Sequence, residues 1–299
     1  GTVSEEQRER GRALRPAARE LERQARAKEA ELRALLRQIG NLVHQDAPYA
    51  REAAPAEGPT GMQALVSRTA AMALATERSA TEAAAEAEEA DETLRLLRTR
   101  LEEAGFVVHA SEVDASAAPS ALEPCAREIA AGRFGEGEGA RLKVPISAQA
   151  LPERYAFVRA PPADGARGAD REIECVVFAS GDSNPSWREL EALCTLAAEC
   201  AQAAGVRVRV RDVPAHELPF HSAREYALCA TAPNGGEVVV ARCASHVDFI
   251  ARARGWRQAV ARVRDRRTPD ARFIHTLTLS FDVHTLALRA LATVQPASQ

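Results

Sequence analysis

Hydrophobic positions along the chain predict a long N-terminal helix ahead of a globular body. From Leu14 to Ile39 apolar residues recur alternately four and three positions apart, the a/d spacing of a helix that packs against an apolar partner. Lys28 is the polar position that interrupts this stripe, and Gly40 follows it as a helix C-cap. We therefore expect a coiled-coil arm over residues 1–47.

The rest of the pattern predicts a linker and an α+β body. Residues 48–61 are rich in Pro and Gly, which is typical of a connection. Helical spacing is seen over residues 62–104, 185–204 and about 283–294, and short strands are predicted at 106–108, 155–158, 173–178, 206–211, 237–241 and 273–277. Helices separate some of the strands, but strands and helices do not alternate in a regular βαβ order. We therefore expect residues 62–299 to form an antiparallel sheet flanked by helices.

Composition excludes several classes of protein. The 39 basic and 42 acidic side chains give a net charge of -3, so RNA contact would require a local basic patch. No run approaches the roughly eighteen uncharged apolar residues of a membrane span. The 6 cysteines contain no C-x-x-C pair or zinc-finger grouping, which predicts buried thiols in a reducing compartment.

Isolated polar residues do not assemble into a catalytic motif. Metal-ligand spacing is absent among the histidines His216, His221, His246 and His284. Ser222 lacks the nearby His and Asp, in a triad order, that would indicate a hydrolase. The alternation over residues 206–211 predicts a half-buried strand with its arginines outward. The densest basic stretch, residues 252–267, is either a solvated surface or a contact for RNA or an acidic protein.

Several short motifs resemble seryl-tRNA synthetases. Asn41-Leu42-Val43-His44 followed by Pro48 resembles the Asn-Leu-Val-His-x-x-x-Pro signature that closes the tRNA-binding arm of that family. Further matches follow in the family's order at residues 151–155, 220–226, 243–252 and 275–277. The resemblance implies a class II synthetase fold, dimeric, with a helical hairpin arm. It also implies adenylate formation from serine and ATP, for which arginines and a magnesium-binding carboxylate neutralise charge.

Positions that bind the substrates in the family are replaced here. Lys143 stands where the family has the glutamate that grips serine. The paired arginines of motif 2 fall near Ala163 and Asp164, where Arg159 or Arg167 could substitute. Lys143 would therefore repel the ammonium group of serine, which the family's glutamate would hold.

The later motifs depart from the family in the same way. Val177 and Val239 stand at carboxylate positions, and Leu286 stands at the motif 3 arginine, with Arg289 about one helical turn later. Leu279 and Phe281 replace two glycines of the nucleotide floor, so we expect their side chains to fill the space of the adenine or phosphates.

These losses together predict a degenerate paralogue with no catalytic, cofactor-binding or metal-binding residues. The expected function is a structural or RNA-contacting subunit of a larger assembly, such as a mitochondrial ribosome or another ribonucleoprotein. It would contact rRNA or tRNA and other proteins and form a homodimer or heterodimer. Candidate RNA or partner contacts are Arg15, Arg19, Arg23, Arg26, Arg33, Arg37, Arg262, Arg264, Arg266 and Arg267.

Two other functions remain open. One is a divergent active seryl-tRNA synthetase, and the other is an accessory subunit of an organellar complex without RNA. The expected location is the mitochondrial matrix, with the cytoplasm as the alternative. A chain that starts at Gly1 fits either a removed targeting segment or a longer chain, and the sequence does not decide between them.

Overall fold

The computed structural model describes residues 16–25, 27–28, 31, 35, 40–48, 80–109, 122–133, 145–159, 172–231, 236–259 and 272–294. The chain forms two compact units, Gly1–Gly40 and Asn41–Gln299. In the first unit, residues 16–25 are helical and exposed. The seam residues Leu21 and Leu35 are 65% and 52% exposed. The predicted arm boundary at residue 47 stays a prediction, and most of the predicted linker lies outside the described residues.

The second unit contains five described helices and ten described strands. The helices are α1 (Ala80–Glu103), α2 (Glu123–Ala130), α3 (Ser183–Ala203), α4 (Phe249–Arg254) and α5 (Val283–Val294). The strands are β1 (Val107–His109), β2 (Ile146–Ser147), β3 (Glu153–Arg159), β4 (Glu172–Ala179), β5 (Val208–Asp212), β6 (Arg224–Thr231), β7 (Glu237–Ser245), β8 (Arg257–Ala259), β9 (Arg272–Phe273) and β10 (His275–Asp282).

Seven strands form the main sheet in the order β1-β3-β4-β10-β7-β6-β5. The β1 and β3 strands are parallel, and every other described neighbouring pair in this sheet is antiparallel. A second sheet has the order β2-β8-β9. The predicted α+β class, an antiparallel sheet flanked by helices, is confirmed.

The main core lies between one face of the sheet and the helices α1, α3 and α5. Leu97 and Leu101 of α1, Leu190 of α3 and Leu286 of α5 are buried there against strand residues such as Val177. The α1 helix ends because Gly105, at φ +82, adopts the left-handed conformation that closes a helix. A smaller core around Trp256 and Phe178 lies on the opposite face of the sheet with α2 and α4.

The segment after the first unit is held on the body by hydrogen bonds. The Asn41 backbone N–H donates to the Phe220 carbonyl at 2.6 Å, and the His44 N–H donates to the Ala223 carbonyl at 2.8 Å. Residues 41–47, which the sequence assigned to the arm, therefore lie in the second compact unit.

Candidate functional face of the sheet

Strand β10 carries apolar side chains on one face of the sheet and polar side chains on the other. Leu277, Leu279 and Phe281 are fully buried in the core with α1, α3 and α5. Successive side chains of a strand point to opposite faces, so Thr278 and Ser280 lie on the other side. Leu279 and Phe281, which the resemblance puts at the nucleotide floor, are thus packing residues of the core, and their filling of a nucleotide's space stays a prediction.

Strand register brings polar residues together on this second face. Ser280 of β10 lies directly opposite Glu174 of β4 on one side and Arg242 of β7 on the other. Thr278 and Glu225 of β6 are both register partners of Ala244, so they lie in the next row. We refer to Glu174, Ser280, Arg242, Thr278 and Glu225 as the polar face.

Arg242 on the polar face is already neutralised. Its Nη1 lies 2.6 Å from Oε1 of Glu225, whose side chain is only 6% exposed. A buried carboxylate without a partner is strongly unfavourable, so this pair holds Arg242 in place although the arginine itself is 49% exposed. On the described residues of β4, β10, β7 and β6, Arg242 is the single arginine on this side of the sheet, and Arg209 and Arg211 of the edge strand β5 lie further along the same side.

Further carboxylates lie at the neighbouring end of the same face. Glu172 of β4 lies opposite Asp282 of β10, one row beyond Glu174 and Ser280. Asp282 also caps helix α5, since its carboxylate accepts from the backbone N–H of Thr285 at 2.8 Å. Asp282 therefore has a structural role at the start of α5.

A buried histidine stands beside the polar face. Nδ1 of His246 donates to the His221 carbonyl at 3.2 Å, so the neutral ring accepts from the Thr278 hydroxyl at Nε2, 3.0 Å away. Burial, aided by the nearby His221 ring, lowers the pKa of His246 to about 3. The Asn41 side-chain amide donates to the carbonyls of both His221 and His246. These two hydrogen bonds connect the two histidines to the 41–48 segment.

Arginines on the helix-covered side of the sheet are ion-paired as well. Arg154 Nη2 lies 2.7 Å from Glu189 Oε2 of α3, and Arg224 Nη2 lies 2.6 Å from Asp212 Oδ2. Arg154 therefore links strand β3 to helix α3.

The replaced family positions are packing residues where the structure describes them. Val177 and Leu286 are fully buried, and Val239 is half-buried. Arg289 lies half-buried on α5, and its Nε atom is buried without a hydrogen-bond partner among the described residues. Lys143, residues 160–171 and the side chain of Arg159 lie outside what is described.

The structure describes only part of the predicted RNA or partner surface. Arg19 and Arg23 lie on the exposed helical residues 16–25, and Arg23 pairs with Glu20 at 2.7 Å. The other predicted contacts lie outside the described residues, namely Arg15, Arg26, Arg33, Arg37, Arg262, Arg264, Arg266 and Arg267. These assignments stay predictions.

The cysteines are buried, as predicted. All 6 are free thiols, and burial raises the pKa of Cys125 and of Cys200 to about 12. Such thiols are poor nucleophiles because the thiolate is the reactive form. Among the described residues, no group of three or more His, Cys, Asp or Glu is placed to hold a metal ion.

Sequence reasoning missed the pairing of Arg242 with Glu225. It also missed Arg254, which is 4% exposed and has Nη1 2.5 Å from Glu128 Oε2. In both pairs the partner comes from a different element, so neither has a local sequence signal. A charged residue among apolar ones, such as Arg242 in the Val-Ala-Arg-Cys-Ala run of β7, was the available hint.

Comparison with solved structures identifies the fold. Seryl-tRNA synthetase from Pyrococcus horikoshii, complexed with ATP, is similar with a TM-score of 0.59 and 17% identity, over 95% of this chain and 77% of that chain. Cytoplasmic serine-tRNA ligase from Naegleria fowleri with AMP gives 0.47 and 15%, over 67% and 53% of the two chains. Prolyl-tRNA synthetase from Giardia lamblia with prolyl-adenylate gives 0.48 and 8%, over 67% and 45%.

No family model and no curated protein matches the sequence. None of the described helices is long and apolar enough to cross a membrane. The resemblance read from the short motifs is confirmed at the level of the fold. The chain has the fold of the class II aminoacyl-tRNA synthetase catalytic domain, in a form similar to seryl-tRNA synthetase and at an identity that fits a divergent relative.

Proposed function

We propose that this chain is a non-catalytic relative of seryl-tRNA synthetase that acts as a structural, RNA-contacting subunit of a larger assembly. The host would be a mitochondrial ribosome or another ribonucleoprotein, in the mitochondrial matrix, with the chain present as a homodimer or heterodimer. The observation that carries the non-catalytic part is that Glu225 already neutralises Arg242 on the polar face.

Adenylate formation needs positive charge at the phosphates of ATP. On the described residues of β4, β10, β7 and β6, Arg242 is the single arginine of the polar face, and the buried Glu225 carboxylate holds it. A triphosphate on this surface would have to displace that carboxylate before Arg242 could compensate its charge. Each missing charge-stabilising donor raises a reaction barrier by roughly 2.7–4 kcal/mol, so the loss of several would stop the reaction.

The RNA-contacting part rests on analogy with the fold. The similar solved proteins are named as tRNA synthetases or ligases, which suggests an ancestry in RNA recognition. Exposed arginines on the helical residues 16–25 are compatible with a phosphate contact.

Serine-dependent ATP–pyrophosphate exchange tests the non-catalytic part. An active seryl-tRNA synthetase, assayed beside this chain, serves as the positive control. We expect no exchange above the background without enzyme. Turnover that disappears on Arg159→Ala or Arg289→Ala would overturn the proposal.

Purification of the native particle tests the RNA-contacting part. We expect RNA to accompany the chain and ribonuclease to release it from its partners. Copurification with proteins alone, unchanged by ribonuclease, would instead identify an accessory subunit of a protein-only complex.

A divergent active synthetase is the second candidate. It is favoured by the similarity to an ATP-bound enzyme over nearly the whole chain. The exchange assay separates the two candidates, since only the second predicts turnover.

A further inference from the structure

Strand β5 carries a run of arginines at one edge of the main sheet. In the described sheet its hydrogen-bonded neighbour is β6, and it is the last strand in the order. Arg207 immediately precedes the strand, and Arg209 and Arg211 lie within it. We call these three residues the arginine row. None of them is among the contacts predicted from the sequence.

The strand holds the arginine row at regular spacing. Arg209 and Arg211 are two residues apart, so they share a face and are separated by about 6.6 Å along the strand. The sequence predicted buried valines opposite them. Val210 is instead 44% exposed, on a strand that ends the order of the described sheet.

The ion pairs of the arginine row are exposed and readily exchanged. Arg209 pairs with Glu237 at 3.3 Å, and their side chains are 77% and 48% exposed. Arg211 pairs with Glu217 at 3.1 Å, and these two side chains are 35% and 39% exposed. Arg207 is exposed and has no ion-pair partner within the part of the chain that the structure describes. Solvated pairs of this kind contribute little to stability, so another anion can replace the carboxylates.

This arrangement differs from the pair on the polar face. Glu225 is buried and holds Arg242. Glu237 and Glu217 are exposed, so water can solvate their carboxylates when the arginines bind another anion. The arginine row is thus a set of cations on the main sheet that a ligand can reach without leaving a buried charge behind.

We propose that the arginine row binds the phosphate backbone of a single-stranded RNA segment. The inference rests on the proposed RNA-contacting function and gives it a surface on the body. Guanidinium groups bind phosphate oxygens in pairs, and a regular row of them suits a polymer with a regularly repeated charge. An acidic peptide presents carboxylates at spacings set by its sequence, so it fits the row less well. An open edge strand also lets a flexible backbone run along it.

The experiment uses one double variant and one matched control in the full chain. The Arg207→Gln/Arg209→Gln variant removes two exposed arginines of the row. The Arg95→Gln/Arg98→Gln control removes two exposed arginines from α1, where Arg98 pairs with Glu102 at 3.1 Å much as Arg209 pairs with Glu237. Both variants change the net charge equally, and neither removes a buried side chain.

Binding of a short fluorescein-labelled oligouridylate is measured by fluorescence anisotropy in KCl from about 50 to 200 mM. Each phosphate of a single strand that the protein no longer neutralises lowers the salt slope by about 0.7, so the double variant should lower it by about 1.4. Removing the two arginines should also weaken binding roughly 10- to 100-fold at about 50 mM KCl. The α1 control should keep the slope of the wild type.

Three outcomes would overturn the inference. If the wild type binds the oligouridylate and the double variant has the same slope, the RNA-contacting function survives and the row is not its site. In that case the arginine row only prevents the strands of other molecules from pairing with the sheet edge. The double variant should then self-associate in size-exclusion chromatography. If the variant loses binding to polyglutamate but not to RNA, the row serves an acidic protein. If the wild type binds no RNA, the inference and the RNA part of the proposed function fail together.

Discussion

Burial of His246 predicts that the body loses stability when the pH falls from about 7 to about 5. The ring is fully buried, with its Nδ1 bonded to the His221 carbonyl and its Nε2 bonded to the Thr278 hydroxyl. Its pKa is about 3 in the folded chain, against an ordinary value of 6.5. Between these two values the unfolded chain binds a proton that the folded chain does not.

The direction and the size of the effect follow from this difference. The stability is fully present above pH 6.5 and is lost progressively as the pH falls toward the folded pKa of about 3. One pKa unit corresponds to about 1.36 kcal/mol, so a drop of about 1.5 units below 6.5 removes about 2 kcal/mol. His221 and His275, whose pKa values are also lowered by burial, act in the same direction.

Urea unfolding followed by tryptophan fluorescence measures the effect. The chain has 2 tryptophans, Trp187 on α3 and the buried Trp256, and both belong to the body. The His246→Asn variant cannot take up the proton but keeps an amide donor toward the His221 carbonyl. Between pH about 7 and about 5, the wild type should lose about 2 kcal/mol more than this variant.

The difference between the wild type and His246→Asn cancels the contribution of all other titrating groups to the free energy of unfolding. His216→Asn, made at an exposed histidine, should lose as much stability as the wild type on acidification. Equal losses in the wild type and in His246→Asn would refute the reasoning, because the buried ring would then not be the source of the pH dependence.

Three further substitutions test the packing of the body, each by the urea midpoint at neutral pH. Gly181→Ala places a Cβ 2.1 Å from the Phe273 carbonyl oxygen, so we expect a loss of about 1–3 kcal/mol. Asn41→Ala removes an amide that donates to two backbone carbonyls, which should cost about 1–3 kcal/mol. Arg254→Met leaves the Glu128 carboxylate without its buried partner and should cost about 3 kcal/mol or more.

Exposed positions supply the controls for these substitutions. Leu42→Ala, at a residue that is 80% exposed, and Arg98→Met, on the solvent side of α1, should each change stability by no more than about 0.5 kcal/mol. Losses at Asn41 or Arg254 no larger than those of the controls would contradict the assigned contacts. An unchanged midpoint for Gly181→Ala would contradict the close approach of the Phe273 carbonyl.

Long periodic segments could be predicted from the sequence because their signal is local. Helix α5 has the predicted bounds, and the predicted strands β3 and β4 are present and pair with each other. Strand β6 was not predicted, because its run from Arg224 to Thr231 has no clear alternation. Strand β5 was predicted, but its position at the edge of the described sheet was not, because strand order is set by tertiary packing.

The site could be predicted only in part. Collinear motifs indicated the synthetase fold, yet a motif does not tell which face of a strand a residue occupies. The burial of Leu279 and Phe281 under the helices could therefore not be predicted. The pairing of Arg242 with Glu225 depends on strand register, which is set by tertiary packing.

Isothermal titration calorimetry of the full chain with magnesium-ATP, in the presence of serine, tests the central claim most directly. The claim is that the polar face does not compensate the charge of a triphosphate. The account predicts no saturable heat, because Arg242 is held by the buried Glu225. Saturable binding that Arg242→Ala weakens at least about tenfold, a loss of about 1.4 kcal/mol, would contradict it.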